Sequence, residues 1–179
     1  FQTEIDDYIA DQYQNATQTY LIYNLGDVEI KGFEASASYG YDKFNSKLSY
    51  SKSDTKNKNT GGPVAGGNGR SIDMGDSIAL TLDYQSDALE TIFGWNSMFV
   101  LEEGNVFDGQ PKKASYDVHN LYAKWVPSDI DGLSVTFGID NVFDELYSSH
   151  ASRSGTARGF TLDDYEPGRN FKLSAAYQF

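Results

Sequence analysis

Between residues 147 and 165 the chain gathers side chains that bind metals and anions: Tyr147, His150, Arg153, Arg158 and Tyr165. An imidazole or a phenol gives a lone pair to iron, and a guanidinium pairs with carboxylates and other anions. The blander alternatives are a solvated loop histidine and arginines that pair with neighbouring acids or with phosphates. Elsewhere the chemistry thins out. With no cysteine, thiolate metal sites, disulfides and thiol catalysis are excluded. His119 stands inside an alternating segment and reads as a satisfied hydrogen-bonder on a polar, lumenal face. The acidic pairs Asp6-Asp7, Glu102-Glu103 and Asp163-Asp164 fit no defined calcium loop. Lys112-Lys113 reads as a solvated or phosphate-contacting pair. No Ser/His/Asp order, phosphate-cradling glycine loop or zinc spacing is present, so an enzyme has little support.

A loop carrying such residues needs a rigid wall beneath it, and the wall is written with a period of two. In the last stretch, Phe171, Leu173, Ala175, Tyr177 and Phe179 share one parity, while Asn170, Lys172, Ser174, Ala176 and Gln178 share the other. Similar alternation predicts strands over 1–10, 19–41, about 46–51, 76–85, 89–101, 115–126 and from 133 outward through Asn141 to Tyr147. Changes of phase predict a β-bulge at Gly32 and a slip within 115–126. Connections at 42–45, 86–88 and 127–131 are short. Those at 11–18, 56–71, 102–114 and 148–168 are longer and unpatterned. Short and long ends alternate throughout, which is the pattern of an all-β, transmembrane, antiparallel up-and-down barrel of about eight strands in this chain.

Composition supports that reading. The chain of 179 residues carries 13 Tyr, 11 Phe and 2 Trp but only 4 Pro. Tyr39, Tyr84, Trp125 and Tyr177 fall near short-turn ends, where an interfacial aromatic girdle belongs. No apolar run reaches the length of a spanning helix. A formal charge of −12 argues against nucleic acid as a partner. The chain begins with Phe1, inside a patterned segment, so the expectation is a piece of a longer protein. A complete small eight-stranded outer-membrane barrel with a structural or adhesion role is the alternative.

Three stretches carry a family resemblance. Gly138-Ile-Asp-Asn-Val-Phe-Asp-Glu-Leu-Tyr147 resembles the N-[LV]-F-D-x-x-Y segment of TonB-dependent outer-membrane receptors. Pro167-Gly-Arg-Asn-Phe-Lys-Leu-Ser-Ala-Ala-Tyr-Gln-Phe179 is similar to their terminal PGR-N strand. Asn24-Leu-Gly-Asp-Val-Glu-Ile-Lys-Gly-Phe-Glu34 resembles their N-x-G…G-[VF]-E strand. The resemblance implies that residues 1–179 are the C-terminal strands of a 22-stranded barrel whose plug domain is not in this sequence. It further implies a Gram-negative outer membrane and a transporter that is not an enzyme, driven by the TonB complex. The implied cargo is heme or a ferric siderophore, with no intrinsic cofactor. Lipid, lipopolysaccharide and the barrel assembly machinery are the other implied partners. Tyr177 and Phe179 match the assembly signal that this machinery reads. Tyr-x-x-His-x-Ser-Arg from Tyr147 looks most like heme-uptake members, which makes His150 a candidate heme-iron ligand. Asn141 and Asp144 are expected to serve backbone geometry rather than ligand contact.

Overall fold

A computed structural model describes residues 1–14, 16–66, 71–152, 154–157 and 160–179. Ten strands follow in order: β1 (Gln2–Gln14), β2 (Thr19–Tyr41), β3 (Phe44–Asn57), β4 (Ser77–Ser86), β5 (Thr91–Val100), β6 (Tyr116–Trp125), β7 (Leu133–Asp140), β8 (Ser154–Ala157), β9 (Phe160–Asp163) and β10 (Asn170–Tyr177). Eight of them form one antiparallel sheet in the order β1-β2-β3-β4-β5-β6-β7-β10, and β8-β9 make a separate hairpin. The sheet is open: no ladder joins β1 to β10 among the described residues. A complete eight-stranded barrel would need that ladder, so the sheet is a sector of something larger.

The reason for the alternation is visible in the register. Tyr41 pairs with Phe44, Phe44 with Tyr84, Tyr84 with Phe93, Phe93 with Ala123, Ala123 with Phe137 and Phe137 with Leu173. Directly paired residues share a face, so this is one continuous apolar row across seven strands. The next rung on the opposite face reads Asp83, Gly94, Tyr122, Gly138 and Lys172. Among the described residues only Ala10, Val28, Val64, Val100 and Val118 are buried apolar side chains. That is too little to hold a domain in water. Leu173 is 74% exposed, as are most of the large side chains of the row to a lesser degree. A single-layer sheet whose inner strands are paired on both sides and whose apolar face is open has the form of a lipid-facing barrel wall, with β1 and β10 as its two free edges.

Several details depart from the sequence reading. β1 continues to Gln14, so residues 11–14 are strand rather than loop. The bulges lie in β1, between Ile5 and Tyr8 and between Tyr8 and Ile9, with Asp7 at φ 55°. The β2–β3 register runs unbroken through Gly32. Gly32 is required by something else: a Cβ there would lie 2.1 Å from the Phe1 ring. Val28, whose parity suggested a change of phase, is a buried residue on the polar face. The β5–β6 register is also unbroken, which puts His119 opposite Ser97 and on the apolar face rather than the lumenal one. It is satisfied there. Trp95 Nε1 donates to Nδ1 at 3.3 Å, Ser97 Oγ lies 2.7 Å from the same nitrogen, and Nε2 faces Asp117 Oδ2 at 2.9 Å. An indole N–H only donates, so Nδ1 is the acceptor and Nε2 carries the proton toward Asp117. Trp95, Phe99 and Phe143 present or receive ring edges around it.

Candidate functional site

Residues 141–147 do not continue β7. Asn141 and Asp144 have φ of 50° and 59°, a left-handed conformation that ends the ladder. What stabilises the break is Asn141 itself, which is buried. Its Oδ1 accepts from Glu145 N–H at 2.8 Å, while Nδ2 donates to Glu145 O at 2.9 Å and Pro167 O at 3.3 Å. Asp144 Oδ1 accepts from Arg169 N–H at 2.8 Å. The two motifs quoted above, 26 residues apart, are therefore one object. A clasp built from Asn141 and Asp144 seizes Pro167-Gly168-Arg169 and sets the entry of β10 beside β7.

The clasp turns the chain so that Tyr147 and His150 come to rest over the end of β6. There they line a cleft of about 320 Å³ together with Tyr116, Lys113, Tyr165 and Asp163. Tyr147 stacks on Tyr116 at a centroid distance of 4.6 Å, and the His150 ring meets Tyr116 edge-on at 5.5 Å. Glu166 N–H donates to Tyr147 O at 2.9 Å, and Ser152 Oγ donates to Glu166 Oε1 at 2.8 Å, which ties the return of the loop to its start. Burial pushes the Tyr147 phenol above its ordinary value, with Glu166 and Tyr116 adding to the effect. The phenol therefore keeps its proton at neutral pH until something displaces it.

His150 is held by two backbone carbonyls. Nδ1 lies 2.7 Å from Met74 O and Nε2 lies 2.8 Å from Ala114 O. Lys113 Nζ donates to Ser71 O at 2.8 Å, to Asp73 O, and to His150 O at 3.2 Å. Beneath them Asp73 Oδ1 accepts from Thr55 N–H at 2.9 Å, and Asn105 Nδ2 donates to Asp73 Oδ2 and to Thr55 O. Burial pushes the Asp73 carboxyl above the usual range, against the hydrogen bonds from Thr55 and Asn105 that pull it down. Residues 71–76, 101–115 and 141–152, from three long connections, thus meet at one place.

Of the five residues singled out from sequence, the structure brings Tyr147, His150 and Tyr165 to this cleft. Arg153 and Arg158 lie outside the described residues. Tyr177 stands on the apolar face of β10, opposite Leu133, and Phe179 follows the strand. Lys112 pairs with Glu102 at 2.6 Å on the exposed surface, where such a pair contributes little. The sequence reading missed Tyr116, taken only as a strand aromatic, and Lys113, taken only as a surface charge. Among the described residues no group of three or more His, Cys, Asp or Glu is arranged to hold a metal ion.

Comparison with known proteins gives this geometry its context. Residues 1–142 match the family described as TonB dependent receptor-like, beta-barrel. TonB-dependent heme receptor A of Haemophilus ducreyi is 28% identical over 169 residues, covering 87% of this chain and 21% of that protein. The hemin receptor of Yersinia pestis is 27% identical over 180 residues, covering 100% of this chain and 24% of that protein. The chain thus spans between about a fifth and a quarter of these relatives. Among solved structures, the copper transporter OprC superposes with a TM-score of 0.83 at 20% identity, over 99% of this chain and 28% of the other. The FrpB iron transporter from Neisseria meningitidis gives 0.76 at 22%, over 99% and 27%. Those identities speak to fold alone. The motifs, the open sheet with one apolar face and the match over residues 1–142 agree: the chain belongs to the TonB-dependent receptor β-barrel family.

Proposed function

We propose that this chain is a wall sector of an outer-membrane, TonB-dependent active transporter that imports an iron complex, with heme favoured over a ferric siderophore. The carrying observation is the cleft that joins Tyr147, His150 and Tyr165 at the loop end of the sheet, in a chain similar to heme and hemin receptors. The residues fit the cargo class: phenol and imidazole are ligands to ferric iron, and stacked tyrosines offer a planar face. TonB would act through a region outside this sequence. Lipopolysaccharide would meet the loop side, and the barrel assembly machinery would read Tyr177 and Phe179. The role is transport, not catalysis.

The test is a titration of the full-length receptor with heme, followed by the Soret band. Replacing Tyr147 with Phe, or His150 with Ala, is expected to weaken binding about tenfold each, the effect of roughly 1.4 kcal/mol. A receptor whose Soret band does not move is not a heme receptor, and ferric siderophores then take first place. A normal titration in all variants would remove the cleft from the pathway of the cargo.

A further inference from the structure

The three connections over the wall are fastened by Lys113, which the reading above does not use, and by His150, to which that reading gives the cargo. We propose that Lys113 and His150 form a latch: Lys113 is the positioning residue of the cleft, and the pair holds residues 71–74 down against 101–115 and 141–152.

The geometry is that of a fastening. An ammonium has three protons and no acceptor, and Lys113 directs its Nζ to three backbone carbonyls: Ser71 and Asp73 of one connection and His150 of another. The backbone of Lys113 is itself pinned, because Lys113 and Glu103 exchange N–H to C=O bonds, each 3.0 Å. His150 completes the fastening in the reverse direction, reaching Met74 O from Nδ1 and Ala114 O from Nε2. Gly75, at φ 73°, lets residues 71–76 approach this closely: a Cβ there would stand 2.8 Å from Leu101 O and 3.3 Å from His150 Nδ1. Two charged or polar hubs therefore hold at least five backbone carbonyls drawn from three connections. Backbone carbonyls carry no sequence information, which is why the arrangement leaves no motif.

The latch also sets an order of events. Met74 O and Ala114 O each stand within 2.8 Å of a ring nitrogen of His150, so each covers the direction from which that nitrogen would meet a metal complex. His150 therefore cannot ligate through either nitrogen while both carbonyls are held; whatever takes it must first release Met74 or Ala114, and with it one side of the latch.

The experiment uses the full-length receptor in outer-membrane vesicles, with Met74 replaced by Cys as the sole thiol. Met74 is 55% exposed and contributes only its carbonyl to the latch, so the substitution leaves the fastening in place. The readout is the rate of labelling by a bulky polar maleimide. Lys113→Met keeps the aliphatic stem and is expected to raise the rate by about tenfold or more, the factor associated with losing charge-assisted hydrogen bonds. His150→Ala should do the same, and Lys113→Arg, which retains the charge and the donors, should restore slow labelling. Each variant is first shown to keep the folded barrel's gel mobility in the unheated sample. Rates for Lys113→Met and His150→Ala that match the parent overturn the latch. Equal acceleration by Lys113→Met and Lys113→Arg also overturns it, because a mere packing role for the side chain would give that result. None of these outcomes depends on heme, so the latch and the cargo assignment fail or stand separately.

Discussion

Replacing Asn141 with Ala is expected to destabilise the folded receptor by about 3 kcal/mol, more than any other single polar substitution in this sector. Two contributions add. The side chain serves three backbone groups, Glu145 N–H, Glu145 O and Pro167 O. Each loses its partner in a site where Asn141 is 3% exposed, and an unsatisfied buried group costs about 1–3 kcal/mol. The φ of 50° at Asn141 adds about 1 kcal/mol once the residue is Ala, because Asn tolerates that conformation better. Asn141→Gly separates the two, since Gly adopts the same φ freely; it should recover only the smaller, conformational part. Asn141→Asp should not rescue, because a carboxylate would face two carbonyl oxygens. The midpoint of heat modifiability of the full-length receptor in lipid reports the loss. A shift for Asn141→Ala no larger than for an exposed loop asparagine would mean that the clasp does not hold β10. Gly168→Ala tests the other jaw: a Cβ there would stand 2.7 Å from Asp144 Oδ1, displacing the carboxylate from Arg169 N–H.

How much of this was readable in advance follows from what writes the pattern. The wall was legible because lipid on one face and water on the other impose period-two alternation on every spanning strand. The register rows from Tyr41 to Leu173 are that alternation seen sideways. The same signal misleads where apolar residues alternate for other reasons. Val142, Phe143 and Leu146 prolong the look of a strand past Asp140, yet the chain there is turned by Asn141 and Asp144. His119 was placed on the wrong face because Tyr116 and Val118 carry apolar side chains on the parity opposite to Leu121, Ala123 and Trp125, which resembles a slip of phase. Only its ladder partner Ser97 shows otherwise. The cleft was half legible. Tyr147, His150 and Tyr165 lie in one stretch and announce their chemistry by type. Tyr116 and Lys113 are brought to them by the β6–β7 pairing and by the clasp, and no local spacing encodes that. β8 and β9, four residues each, are too short for periodicity to detect.

Gly94→Val is expected to cost about 2–3 kcal/mol, although valine is the better strand former by itself. The cause is a ring. Gly94 lies between Asp83 and Tyr122 in the register, and the Tyr122 ring crosses over it so that its hydroxyl donates to Asp83 Oδ1 at 2.7 Å. A Cβ on residue 94 would be 2.0 Å from Tyr122 Cε1 and 2.2 Å from Cζ. Both cannot be present, so the ring must swing away and the hydroxyl must leave Asp83, a hydrogen bond to a charged group worth about 1.5–3 kcal/mol. The cycle with Tyr122→Ala decides the cause. In that background residue 94 has open space above it, and Gly94→Val should become neutral or mildly stabilising as the propensity of valine shows through. The coupling between the two substitutions should then equal nearly the whole cost of the single one. A Gly94→Val penalty that persists unchanged without the Tyr122 ring would locate the strain in the backbone of β5 instead. The ring would then only cover the glycine.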